Sequence, residues 1–103
     1  MAFFMVTSKY PFSASDDLVK VYIKFLSNPV PDYIKRSETF TATGEDDGLK
    51  TYTLIECEDE HLNECLLHVA TDQSEFRVVT GYTYNIEILA TPEQSVGMLG
   101  IKL

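Results

Sequence analysis

The sequence predicts a single α+β domain of β-α-β-β-α-β order, spanning residues 1–103, with a short helical turn after the last strand. Three observations predict it. Runs of apolar and β-branched residues alternate with two stretches whose apolar residues recur at helical spacing. Proline, glycine and Asp-Gly punctuation separates them. The 103 residues suit one core and leave no length for a second.

The first strand is expected over Ala2–Ser8, with Pro11 closing it. Phe3 and Met5 fall on one face and Phe4 and Val6 on the other, so this strand belongs inside a sheet covered on both sides. The first helix is expected to begin near Ser13 or Ser15, either of which can cap it. Asp16 and Asp17 suit the positive end of its dipole. Leu18, Val21, Tyr22, Phe25 and Leu26 make one apolar stripe, with Lys20 and Lys24 opposite. Asn28, Pro29 and Pro31 end the helix.

A strand around Glu38–Thr43 and another over Lys50–Glu56 flank the turn Gly44-Glu45-Asp46-Asp47-Gly48 and read as an antiparallel hairpin. The second helix is expected over Asp59–Ala70, capped by Asp59, with Leu62, Cys65, Leu66 and Val69 on its apolar side. Phe76–Leu89 is the longest strand candidate, and Gly81 inside it marks a bulge or bend. Thr91-Pro92-Glu93-Gln94 carries a cap, a proline at the first helical position and a capping-box glutamine. That predicts a helical turn halted near Gly97 or Gly100, with Ile101–Leu103 as a short edge strand or a loose end.

Right-handed crossovers between these elements generate a ferredoxin-like sandwich: a four-stranded antiparallel sheet with two helices on one face. The first and third strands are then central. Tyr52 and Leu54 on one side, with Ile55 and Cys57 on the other, give the third strand the same two-sided apolar character. Two helices cover one sheet face only, and large apolar patches are uncommon on monomers. Covering ~800 Å² at ~25 cal/mol per Å² contributes roughly 20 kcal/mol before association costs of about 4–15 kcal/mol. A homodimer through the open sheet face is therefore expected. The competing solution is a monomer whose tail, Thr91–Leu103, folds across that face.

The net charge of −8 argues against nucleic acid and against anionic membrane surfaces, and its plain reading is solubility. No run approaches the ~18 apolar residues of a membrane helix. Phe3–Val6 is too short for a signal peptide and lacks a basic stretch before it. A reducing cytoplasm is expected, with Cys57 and Cys65 as free thiols.

The element order and the segment Pro31-Asp32-Tyr33-Ile34-Lys35, with the Asp47-Gly48 turn and a Gly81-Tyr82 strand, resemble the dimeric α/β-barrel superfamily. That superfamily includes antibiotic-biosynthesis-type monooxygenases and muconolactone isomerases. The resemblance implies two sheets packed into a barrel across a dimer, with a pocket between sheet and helices. It shares no catalytic motif with this chain, so no functional residue carries over.

Few residues invite chemistry. His61, Glu64, Cys65 and His68 lie at i, i+3, i+4 and i+7, a spacing that brings imidazole and thiolate to one side of a helix and suits a borderline metal. With Cys65 near the border of the apolar stripe and both histidines flanking it toward solvent, the commoner outcome is an inert thiol beside two surface histidines. Cys57, at a strand end near a helix start, reads as core for want of a paired base. Glu56 and Glu87 sit in strands, where a buried carboxylate can act as a general base. Six tyrosines (Tyr10, Tyr22, Tyr33, Tyr52, Tyr82 and Tyr84) offer aromatic faces and hydroxyls. Tyr22 and Tyr52 are placed to face each other across a pocket, with Tyr84, Glu56, Glu87 and His61 as further pocket residues. There is no phosphate loop, Cys-x-x-Cys pair or nucleophile elbow, and no cofactor is expected.

Three functions are compatible with this pattern. The first is a small-ligand-binding dimer with an apolar, tyrosine-lined cavity. The second is a cofactor-independent oxygenase or isomerase. The third is a metal-binding module on the second helix.

Overall fold

The computed structural model describes residues 1–43 and 48–100. Four strands, β1 (Ala2–Pro11), β2 (Ile34–Thr43), β3 (Gly48–Cys57) and β4 (Thr83–Leu89), form one sheet in the order β2-β3-β1-β4, and every neighbouring pair is antiparallel. Helices α1 (Ser15–Phe25) and α2 (Leu62–Ser74) follow β1 and β3, and α3 (Pro92–Met98) follows β4. This is the expected α+β ferredoxin-like arrangement, with the first and third strands central. The predicted turn over Gly44–Asp47 and the predicted ending at Ile101–Leu103 lie outside the described residues.

Local chemistry explains where the elements run differently from expectation. β1 continues three residues past Ser8, because Lys9, Tyr10 and Pro11 pair with Lys50, Leu49 and Gly48. Neither Ser13 nor Ser15 caps α1. A 3-10 turn at Phe12–Ala14 feeds the helix instead, and the Ser15 N–H bonds the Phe12 carbonyl. Asp59 does not cap α2 either: a 3-10 turn at Asp59–His61 leads into it, and the Asp59 carboxylate holds the amino terminus at 3.0 Å. α2 runs on past Ala70 to Ser74.

The expected strand over Phe76–Leu89 begins only at Thr83. Phe76, Val79 and Tyr82 are spaced by three, which matches the 3-10 turn Glu75–Val78 and the turn after it better than a two-residue alternation. Gly81 is in that turn, not in a strand bulge. Its φ is +80°, and a Cβ there would meet Pro11 Cδ at 2.9 Å, so both the backbone and the space call for glycine. The Gly81-Tyr82 strand in the family resemblance is therefore a turn. The sheet's irregularity falls at Lys35, between the Ile34–Cys57 and Arg36–Glu56 pairs.

At the last helix the expectation holds. Thr91 accepts from the Gln94 N–H, and the Gln94 side chain accepts from the Thr91 N–H, a full capping box. The helix passes through Gly97 and stops before Gly100, whose φ is +76°.

Strand register assigns the faces, since directly paired residues share one side. Phe4, Val6, Ile55 and Cys57 point to the helices, where α2 supplies Cys65 and Val69; these six are the core. Leu62, Leu66, Ile86 and Tyr33 pack around them. A second buried group, Tyr10, Ala14, Phe76 and Val79, closes the end below α1. No residue of α1 itself is buried. Its Leu18, Val21 and Phe25 are half-buried, while Tyr22 and Leu26 are exposed. On the helix side β2 is left bare.

The opposite sheet face carries Phe3, Met5, Leu54, Tyr52, Phe40 and Leu89, flanked by Lys9, Lys50, Arg36, Glu38, Glu56 and Glu87. On β4 it is the Glu87 row that faces this way, and Tyr84, Ile86 and Ile88 face the helices. No described helix covers this face. α3 makes at most peripheral contact with the rest of the chain, and its Met98 remains 80% exposed. The described chain is consequently flat, 17 Å in its shortest extent, about the depth of one sheet and one helix layer.

Candidate ligand-binding cleft

Because α1 and α2 leave β2 uncovered, an open cleft of about 420 Å³ lies between the helices and the sheet. Small-molecule sites begin at about 300 Å³. The floor comes from alternation along the strands. Ser37, Thr39 and Thr41 of β2 and Thr51 and Thr53 of β3 all point to the helix side, joined by Ser8 of β1. Two pairs of these hydroxyls bond each other, Ser8 with Thr51, and Thr39 with Thr53 at 2.9 Å.

One wall is aromatic. Tyr22 stacks on Phe25 at 6.3 Å, Phe25 tilts against Phe76 at 6.0 Å, and Phe76 stacks on Tyr82 at 5.1 Å. These contacts tie α1 to the segment after α2 by ring packing. Burial pushes the Tyr82 hydroxyl up from its ordinary range. That hydroxyl donates to Gln73 Oε1 at the cleft edge.

The other wall is α2. His68 Nε2 lies 3.0 Å from Asp72 Oδ2, one helical turn on, and both side chains are largely shielded and line the cleft. Burial raises the Asp72 carboxyl above its usual range; the neighbouring His68 opposes this and Glu75 adds to it. A carboxylate partner fixes the orientation of an imidazole and leaves its other nitrogen for a ligand. Among the described residues, no lysine or arginine lines the cleft.

The residues singled out from sequence scatter. Of the six pocket candidates, Tyr22 alone lines this cleft. Tyr52 does not face it: its register with Thr7 puts it on the open sheet face, where the Lys50 ammonium sits 5.1 Å from its ring centroid. Glu87 shares that face, and a second, shallower concavity there brings it together with two other candidates, Tyr52 and Tyr84, beside Lys9 and Lys50. Glu56 is on the same face beside Arg36 and Phe3. Tyr84 is on the helix side of edge strand β4, with its ring 6.4 Å from that of Tyr82. His61 stacks on Tyr33 at 5.1 Å outside the cleft, with Nδ1 3.3 Å from Glu64 Oε1.

The possible metal donors His61, Cys65 and His68 do not converge. Cys65 is fully buried at the centre of the α2 stripe, not at its border, and His68 turns into the cleft and not toward solvent. The helix is rotated so that Cys65 and Val69 meet the sheet beneath. Burial, then the adjoining Cys57 thiol, pushes the Cys65 thiol up to about 12. Among the described residues, the donors that do gather are Glu58, Glu60 and His61, within 4.8 Å of one another. Glu58 in that group is already held by Lys35 at 3.2 Å.

The hydroxyl floor and the His68–Asp72 pair escaped the reading of functional residues. A signal existed for the first: Ser37, Thr39 and Thr41, and likewise Thr51 and Thr53, recur at every second position and therefore share a face. For the second, the i, i+4 spacing was visible, but which way α2 rolls was not.

Sheet order, antiparallel pairing and two helices on one face define a ferredoxin-like α+β sandwich. No protein-family model and no curated protein matches the chain. Among solved structures it is similar to a dimeric ferredoxin-like protein from an uncultured marine organism, with a TM-score of 0.58 and 8% identity, covering 88% of this chain and 98% of that one. It is also similar, at a TM-score of 0.46 and 17% identity, to the hypothetical protein ORF119 of Sulfolobus islandicus rod-shaped virus 1, covering 100% of this chain and 88% of that one.

Proposed function

We propose that this protein is a homodimer, paired through the open sheet face, that binds a small apolar or aromatic ligand in the cleft between helices and sheet. In that role it stands beside the dimeric α/β-barrel proteins. The observation that carries the ligand reading is the cleft itself: about 420 Å³, walled by Tyr22, Phe25 and Phe76 and continuous with the bare side of β2. Such concave sites, apolar with a few polar groups, are where small molecules bind.

Pairing is supported by the opposite face. Its centre, Phe3, Met5 and Leu54, is apolar, and nothing in the described chain covers it. Its charges are unevenly spread. Lys9 and Lys50 sit opposite each other at one end, while Glu38, Glu56 and Glu87 lie toward the other, where Arg36 offsets one of them by its bond to Glu38. A two-fold axis across the strands sets the basic end of one copy over the acidic end of the next, relieving the like-charge pair. The dimeric state of the ferredoxin-like structural neighbour agrees with this.

Two experiments test the reading. Titration with the neutral dye N-phenyl-1-naphthylamine is expected to saturate on the wild type without chemical change. It is expected to be lost in Thr39→Trp, which fills the floor of the cleft; unchanged binding in a folded Thr39→Trp removes the cleft from consideration. Light scattering is expected to give twice the chain mass for the wild type and the single-chain mass for Leu54→Arg. A wild type that stays monomeric at high micromolar concentration ends the pairing proposal.

A further inference from the structure

We infer that the cleft selects an uncharged aromatic ligand bearing a hydroxyl group, a phenol or naphthol, whose O–H is accepted by the free ring nitrogen of His68. This rests on the cleft being the binding site and names what it binds. The wall formed by Tyr22, Phe25 and Phe76 offers ring faces and edges, which suits a flat aromatic body. Charge then narrows the class. The carboxylate of Asp72 lines the cleft and, among the described residues, no lysine or arginine does, so a carboxylate or phosphate placed there meets a like charge with no described fixed cation to offset it.

Polarity narrows it further. Thr39 is bonded to Thr53 and Ser8 to Thr51, but a ligand over the floor also shields Ser37 and Thr41 from water. A purely hydrocarbon ligand leaves those groups and the imidazole without partners, whereas a hydroxyl supplies both a donor and an acceptor.

His68 sets the direction of the hydrogen bond. With Nε2 3.0 Å from Asp72 Oδ2, the ring donates from Nε2 to the carboxylate, and in the neutral tautomer this fixes, Nδ1 carries no hydrogen. Nδ1 is then an acceptor and calls for a donor on the ligand. A ligand cation is the competing occupant, since Asp72 and the aromatic wall both attract positive charge. It is disfavoured because Asp72 already holds the imidazole.

The test measures binding of 2-naphthol, naphthalene, 2-naphthoate and 2-naphthylmethylamine at neutral pH by equilibrium dialysis, on the wild type, His68→Leu and His68→Gln. 2-Naphthol is expected to bind about tenfold more tightly than the other three, the cost of leaving a buried acceptor unpaired. His68→Leu is expected to abolish that preference, so that naphthol and naphthalene bind alike, and His68→Gln, which keeps an acceptor, to restore part of it. The proposal is overturned if naphthoate or the amine binds as tightly as naphthol, or if the preference survives His68→Leu. Should His68→Leu fail to fold, the wild-type ranking and His68→Gln decide. If hydrocarbon and naphthol bind equally, only the ligand class is wrong; if no probe saturates, the cleft itself is not a binding site.

Discussion

Phe3 and Phe4 are adjacent in β1 and point to opposite sides of the sheet, so their alanine variants separate the core from the open face. Phe4 is fully buried among Val6, Ile55, Cys57, Cys65 and Val69, while Phe3 is half-buried and paired with Glu56 and Leu89. Phe4→Ala removes a packed ring from a site that the sheet and α2 hold open, at a cost of about 3–5 kcal/mol. Phe3→Ala gives up partial burial, about 1 kcal/mol. For a chain of 103 residues the total stability is roughly 5–15 kcal/mol, so the first change takes a large share of it. With a urea slope of ~1.5 kcal/mol per molar, a ~4 kcal/mol loss lowers the midpoint by roughly 2.5 M. Urea titration followed by far-ultraviolet circular dichroism, at concentrations low enough for single chains, reads both variants. At higher concentration the Phe3→Ala deficit is expected to grow, because the proposed pairing would cover that ring in the wild type, while the Phe4→Ala deficit stays constant. Equal losses at low concentration, or a larger loss for Phe3→Ala, refute the register and the assignment of faces.

The buried thiols are expected to resist modification. With burial pushing the Cys65 thiol up to about 12, it stays protonated at pH 8, so a disulfide reagent should titrate Cys65 only after denaturant is added. Asp72→Asn is expected to raise the thermal midpoint modestly at neutral pH. The folded protein raises this carboxyl's pKa, so its contribution is most favourable below the ordinary aspartate range and is lost as pH rises through the folded value. The gain from the amide should therefore vanish in acid, and a gain that persists there refutes the cause. Thr91→Ala removes the capping box of α3, worth about 1 kcal/mol to that helix. Because α3 is peripheral, amide exchange over residues 94–99 should quicken while the global midpoint scarcely moves. A large fall in the midpoint would mean that α3 packs on the body.

Legibility in the sequence followed the strength of local signals. β1 and β3 could be placed at the sheet centre because both are apolar on two sides, and the capping box of α3 is written in four consecutive residues. The stretch after α2 departs from the expected strand because Phe76, Val79 and Tyr82 fit alternation only loosely, and Gly81 marks a chain reversal as readily as a bulge. Side-chain caps were assigned to helices that 3-10 turns begin instead. The predicted tyrosine pair failed because Tyr52 shares a face with Leu54, a parity already present in the strand but not matched to the helix side.

What the sequence alone determined was parity and order: which residues share a face within a strand or a helix, and that four strands and two main helices form one α+β sandwich. Those follow from periods of 2 and 3.6 residues, which are local properties of the backbone. Only the tertiary structure decided which parity faces the helices, how α2 is rolled so that Cys65 enters the core and His68 the cleft, and that β2 goes uncovered. Those depend on contacts between elements far apart in the chain, where burying apolar area selects one packing among several that local patterning leaves equally open.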